Sequence, residues 1–235
     1  MLGAAELRPS KQESPDNNWP QWRGAHFDGI SHETDLPATW SEEKGVVWRL
    51  PLPGPAGATP VVWDKQIFLT SAEGDSLVLL SVGTDGKLLW KREIAGNNRG
   101  VRGDEGNMAS PSPSTDGKHV WAMMSTGDLA CYTVAGEKVW QYNVQEKYGT
   151  FSIQFGMAST PALDDGHLYL QLLHSNSATI VALDALTGNE IWRQGRPTDA
   201  REESQESYAS PIVYRDSQRA LLLTHGGDLI VANRL

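Results

Sequence analysis

Asp104-Glu105-Gly106-Asn107 brings three side chains with oxygen donors into four consecutive positions. Oxygen donors are the ligands of hard cations, and Ca²⁺ takes about 6–8 of them. Asp104, Glu105 and Asn107 are therefore candidates for part of a metal or cofactor site. The same residues also suit a turn in which Asp and Asn bond their own backbone while Gly103 and Gly106 bend it, and both readings stay open. A second group is apolar. Tyr148, Phe151 and Phe155 share the stretch 145–158 with Lys147 and Gln154, and Arg99 and Arg102 stand in a comparable stretch upstream. Aromatic rings with cations and amides around them have the composition of an interface core and its rim. Packed inward, the same rings are plugs between structural units. Other chemistries lack their residues. His174 and His225 stand in no His-x-His or His-Glu-x-x-His spacing for zinc, and no phosphate-binding G-x-x-x-x-G-K-[S/T] segment occurs. Cys131, the one cysteine, sits in the apolar run Leu129-Ala130-Cys131-Tyr132 and reads as a small buried hydrophobe.

The chain that must position these groups has 235 residues, 39% of them hydrophobic, a content suited to a packed globular fold. Its formal charge of -9 argues against a nucleic-acid partner, whose phosphates demand clustered Lys and Arg. No run of 18 or more apolar residues occurs, so no transmembrane helix is encoded. A single cysteine allows no intrachain disulfide and leaves the compartment unread. Residues 1–18 are polar, lack the apolar core of a secretory signal, and are expected to form a disordered leader.

The positioning elements repeat. Ala58-Thr59-Pro60, Ala109-Ser110-Pro111, Ser159-Thr160-Pro161 and Ala209-Ser210-Pro211 place their prolines 51, 50 and 50 residues apart. The first three runs that follow end in Trp90, Trp140 and Trp192, at 30, 29 and 31 residues from Pro60, Pro111 and Pro161. A period near 50 containing several short strands is the mark of a β-propeller or a related array. Within the first unit the strands read as Val61–Trp63, Gln66–Thr70, Leu77–Leu80 and Leu88–Lys91. Asp64-Lys65, Gly74-Asp75 and Asp85-Gly86 turn between them, and such Asp-Gly steps supply the positive φ of tight hairpins. Gly127-Asp128 and Gly227-Asp228 recur at the place of Gly74-Asp75 and are structural for that reason. The chain divides into the leader 1–18, an opening segment 19–57 with a closing strand at Val46–Leu50, and blades at 58–94, 109–144, 158–196 and 209–235. The last is truncated after its third strand.

Ala182-Leu183-Asp184-x-x-Thr187-Gly188-x-x-x-Trp192 resembles the tryptophan-docking repeat of the pyrroloquinoline-quinone (PQQ) type propellers. That superfamily includes quinoprotein alcohol dehydrogenases and the outer-membrane protein assembly lipoprotein of Gram-negative bacteria. The opening Asn18-Trp19-Pro20-Gln21-Trp22-Arg23-Gly24 is similar to the start of exported PQQ-like repeat proteins of planctomycetes. The resemblance implies an all-β propeller of four-stranded antiparallel blades, here about four blades from the N-terminal part of a seven- or eight-bladed ring. It implies a periplasmic or extracellular location, although the chain shows no signal peptide. It also implies that each strand-D tryptophan fills the gap to the next blade.

Quinoprotein dehydrogenases of this fold use a catalytic Asp, Ca²⁺ held by Glu and Asn oxygens, and usually a vicinal disulfide over the quinone. This chain has no cysteine pair and only Asp104, Glu105 and Asn107 as weak candidates. The favoured expectation is a non-catalytic binding scaffold with no cofactor. PQQ and Ca²⁺ belong to the alternative, a dehydrogenase; a structural module of a larger protein is the third reading. A protein or polymer partner is expected on the inter-blade loop face, at Arg99, Arg102, Tyr148, Phe151 and Phe155. Open blade edges invite pairing between chains, so the purified chain is expected to self-associate. Sedimentation at several concentrations measures this, and a concentration-independent monomer contradicts it.

Overall fold

From Pro60 onward, short β-prone runs alternate with turns containing Asp and Gly, and the chain folds accordingly. The computed structural model of the protein describes residues 18–101 and 107–235. Its first sheet holds β1 (Val61–Trp63), β2 (Gln66–Glu73), β3 (Ser76–Gly83) and β4 (Leu88–Ala95). The second holds β5 (Ser114–Thr115), β6 (His119–Met123), β7 (Asp128–Thr133) and β8 (Lys138–Asn143). The third holds β9 (Ala162–Asp164), β10 (His167–His174), β11 (Ser177–Asp184) and β12 (Glu190–Gly195), and the fourth β13 (Ile212–Arg215), β14 (Ala220–Gly226) and β15 (Leu229–Arg234). In each sheet neighbours in sequence are antiparallel neighbours in space, so each is one propeller blade. A meander places its first and third turns on one face of the ring. Its middle turn and the connection to the next blade lie on the other.

The cores lie between blades. Val61, Phe68 and Leu77 pack with Val120, Ala122 and Ala130 of the second blade. Leu129 and Cys131 pack with Leu168 and Val181 of the third, and Ala162 and Ile180 of the third with Val213 and Leu222 of the fourth.

The first strands β1, β5, β9 and β13 touch in succession but belong to different sheets. Their facing edges therefore carry backbone groups that no ladder satisfies. Two devices satisfy them. In the first, a hydroxyl residue just before the proline that opens the strand accepts a bond from the preceding blade. Thr59 N–H donates to Ser112 Oγ, Ser112 N–H to Thr160 Oγ1, and Thr160 N–H to Ser210 Oγ, each at 2.9 Å. The proline that follows has no N–H to satisfy. This chain of bonds corrects the second motif: β5 opens after Pro113, so Ser112-Pro113 is the counterpart of Thr59-Pro60, and Pro111 stands two residues early. The true proline intervals are 53, 48 and 50.

In the second device, residues 18–21 run along the inner edges as a strap. Asn18 Oδ1 accepts the Asp64 N–H at 2.7 Å, and Trp19 exchanges two bonds with Val62 at 2.9 and 2.8 Å. Pro20 O accepts the Thr115 N–H at 2.8 Å, and Gln21 Oε1 accepts the Leu163 N–H at 3.0 Å. Val62, Thr115 and Leu163 each stand two residues after the opening proline of their blade. Beyond Gln21 the strap turns, with Gly24 N–H on Gln21 O at 2.9 Å, and delivers Phe27 into the core of the third and fourth blades. Of the leader expected over 1–18, residues 1–17 lie outside the described residues.

Tryptophans close the outer side. The indole N–H of Trp48, Trp90 and Trp140 donates to Thr84 O, Val134 O and Ala185 O at 2.9, 2.9 and 3.0 Å. Each ring lies against a glycine of the third turn, where a Cβ on Gly86, Gly136 or Gly188 would come within 2.6, 2.9 or 3.0 Å of it. In its own sheet, Trp90 faces Ser81, Trp140 faces Cys131 and Trp192 faces Ala182, beside a register shift in every case. A β-bulge next to a small residue thus recurs in the first three blades. It explains Cys131 as a packing residue, whose thiol burial pushes up to about 12.

Val46–Leu50 differs from expectation. These residues form no strand, and Val47 is 91% exposed. A fourth strand is held by the third strand of its own blade, and among the described residues none stands beside this segment. Trp48 still docks on Gly86, and Leu50 packs on a cluster of Leu69, Val78 and Leu80.

Gly136→Ala and Gly74→Ala separate backbone strain from docking. Both glycines have positive φ (86° and 59°), but a Cβ at Gly74 meets nothing within 4 Å. Gly74→Ala should cost about 1 kcal/mol, and Gly136→Ala a further 1–3 kcal/mol or so for overpacking against Trp90. Thermal melts read the difference at about 2–4 °C per kcal/mol; equal melting temperatures contradict the docking role.

Candidate functional site

Arg99, Asn107, Tyr148, Phe151 and Phe155 fall on the face that carries the connections between blades. Arg102, Asp104 and Glu105 lie outside the described residues. Asn107 is committed to a turn: its Oδ1 accepts the Ala109 N–H at 2.8 Å, and its carbonyl accepts the Ser110 hydroxyl at 2.6 Å. Among the described residues no three of His, Cys, Asp and Glu converge as a metal-binding group. No chemical step is assigned to Ca²⁺ or PQQ.

The three aromatics turn inward. Tyr148 ends the short helix α1 (Gln145–Tyr148), is 7% exposed, and joins the core between the second and third blades. Burial first, then Tyr142 and Glu190, raise its pKa above the usual phenol value. Phe151 is half-buried against the same core, and Phe155 against the core of the first two blades. The hydrophobic effect draws all three rings into the gaps between blades, so they act as plugs. Gln145 helps to fold the segment back, its Oε1 accepting the Phe151 N–H at 2.6 Å. Exposed side chains on these connections include Arg99, Lys147 and Gln154. The Lys147 ammonium lies 4.2 Å from the centre of the Tyr142 ring.

Neighbouring connections are tied together. Glu206 accepts from Gln154 N–H at 2.8 Å, the Ser175 hydroxyl at 2.9 Å and the Tyr208 hydroxyl at 3.0 Å. Burial and the bond to Glu206 push the Tyr208 phenol up to about 12. His174, at the end of β10, is 2% exposed, with the Phe151 ring 5.3 Å away. Its Nδ1 accepts the Ser152 N–H at 3.4 Å, and its Nε2 has no partner. Burial holds its pKa below the ordinary 6.5, against a smaller upward pull from Glu206.

On the opposite face, where the first and third turns emerge, a cleft of 380 Å³ opens beside the strap. Pro20 and Gln21 line it together with Trp63, Trp121 and Leu163 from three successive blades. Sequence reasoning missed this site because its walls are joined over long separations: Gln21 and Leu163 are 142 residues apart.

The family model described as outer membrane protein assembly factor BamB matches residues 31–156 and again residues 108–235. No curated protein matches the chain. Among solved structures, a quinohemoprotein alcohol dehydrogenase from Pseudomonas putida HK5 is similar at 16% identity and TM-score 0.51, over 76% of this chain and 30% of its own. The quinohemoprotein alcohol dehydrogenase of Comamonas testosteroni is similar at 18% identity and TM-score 0.51, over 74% of this chain and 30% of its own. BamB from Moraxella catarrhalis aligns at 14% identity and TM-score 0.48, over 80% of this chain and 54% of its own. The chain thus spans about a third of the length of the two dehydrogenases, and the likeness is one of fold.

His174 makes the loop face sensitive to acid. Its folded pKa is depressed, so the unfolded chain takes the proton first as pH falls through 6.5. The stability it contributes is complete above 6.5 and is lost as pH falls toward the folded value. The difference in melting temperature between pH 7.5 and 5.5 should be larger in the wild type than in His174→Gln. Equal differences contradict a buried neutral imidazole.

Proposed function

Because the chain belongs to the family described as outer membrane protein assembly factor BamB, a family of PQQ-like propeller repeats, we propose that it is a non-catalytic binding scaffold. Its partner is a protein or polymer that docks on the face built from the inter-blade connections. One observation carries this reading. The repeated residues are spent on holding blades together, whereas the second and third connections differ in their local structure. The second connection contains α1 and the third a 3-10 turn at Glu202–Gln205. Joined through Glu206, they present one continuous surface on a rigid support, the usual setting for binding. Arg99, Lys147 and Gln154 are its outward contacts. Tyr148, Phe151 and Phe155 set the shape of the surface from below. The family description points to the cell envelope as the place of action, and among the described residues no helix is long and apolar enough to cross a membrane.

Site-specific photo-crosslinking tests the face. A photoreactive residue at Arg99 or Gln154 should capture the partner from the source cell, whereas one at Lys65 in the first turn of the first blade should not. Capture from Lys65 alone, or equal capture from both faces, contradicts the proposal. Tyr148→Ala should lower the melting temperature by several degrees, reflecting roughly 3–5 kcal/mol for truncating a buried aromatic. An unchanged melt with lost capture would place the ring in the interface instead.

A further inference from the structure

The cleft on the turn face has the makings of a ligand site separate from the loop face. Its volume of 380 Å³ falls within the roughly 300–1,000 Å³ typical of small-molecule pockets. Gln21 is 5% exposed and lines it. Its Oε1 is taken by the Leu163 N–H, which fixes the amide orientation and leaves Nε2 to donate, with no acceptor among the described residues. Trp63 adds an aromatic wall, with Gly117 packed against its indole.

The charges around the cleft decide the class of ligand. Asp164 is ion-paired with Arg215. Asp116 is turned onto the backbone N–H groups of Lys118 and His119 at 2.8 and 2.6 Å, and its Oδ2 faces His119 Nδ1 at 3.5 Å. What remains is the Asp165 carboxylate and the Lys118 ammonium, one of each sign and neither in a hydrogen bond or ion pair among the described residues, and the second nitrogen of His119. With Arg215 beside Asp164, the one carboxylate left without a matching cation is that of Asp116, and two backbone N–H groups already bond to it, so the site makes no strong call for a counter-ion. It offers acceptors, donors and a flat apolar surface together. A neutral ring with many hydroxyl groups satisfies all of them: its hydroxyls donate to Asp165 and accept from Gln21 and Lys118, while its C–H face lies on Trp63.

We propose that the cleft between the strap and the first turns of blades one to three is a saccharide-binding site, with Gln21, Lys118, Asp165 and Trp63 as its contacts.

Saturation-transfer NMR on the full chain, with glucose, N-acetylglucosamine and their disaccharides as probes, tests this directly. At least one probe should receive saturation through its ring C–H protons. Asp165→Asn combined with Lys118→Met changes two side chains that hold nothing together in the fold, so the melting temperature should stay within about 2 °C, the equivalent of under 1 kcal/mol. The same double variant should weaken binding of that probe at least fivefold. Absence of transfer to every saccharide overturns the proposal, as does transfer undiminished in the double variant. Arginine amide or inorganic phosphate binding at the cleft in place of the sugars also overturns it, since either means that a charge governs the site.

Discussion

Strands that meet at a propeller's axis have nothing beside them in their own sheet, and their inner backbone edges must still be satisfied. This constraint organises the molecule. A buried amide without a partner costs about 1–3 kcal/mol, and each blade would repeat the cost. The hydroxyl residues before the opening prolines answer it between neighbouring blades, each accepting the amide of its predecessor. The strap answers it across three blades at once, meeting the second residue after each opening proline with a different atom of Trp19, Pro20 and Gln21. The opening Asn-Trp-Pro-Gln-Trp-Arg-Gly run is thereby accounted for nearly residue by residue. Asn18 and Gln21 contribute side-chain oxygens, Trp19 and Pro20 backbone carbonyls, and Gly24 the turn.

At the outer rim the tryptophans perform the matching task. Trp90 and Trp140 each have a glycine under the ring, a backbone carbonyl for the indole N–H, and a small residue with a bulge opposite in their own sheet. These demands fall on separate strands and turns, so a blade is specified only jointly with its neighbours. That coupling confines the repeated positions to packing and leaves variation to the connections, where the proposed binding surface lies.

Periodicity made the fold legible. Strand positions, turn residues and the number of blades all follow from alternating apolar runs and Asp-Gly steps, because these are local properties of the chain. The misreadings share a different cause. Ser110-Pro111 looked like the second motif because its interval was even, but the place of a motif is set by the hydrogen bond that Ser112 accepts from Thr59, 53 residues away. Val46–Leu50 has the residues of a strand, but a strand also requires a neighbour. Tyr148 has the composition of an interface anchor and is buried, since exposure depends on the gap between blades. The cleft was not legible at all: Gln21, Trp63, Lys118 and Asp165 come from four distant places, and only the packing of three blades with the strap gathers them.

Hydrogen exchange at single-residue resolution tests the central claim most directly. The amides of Val62, Thr115 and Leu163 should be protected to a similar degree although each lies on an open strand edge. In Gln21→Ala, protection should fall sharply at Leu163 while Val62 and Thr115, held by backbone carbonyls of Trp19 and Pro20, keep theirs. Rapid exchange of all three amides in the wild type, or an unchanged Leu163 in the variant, would contradict the account.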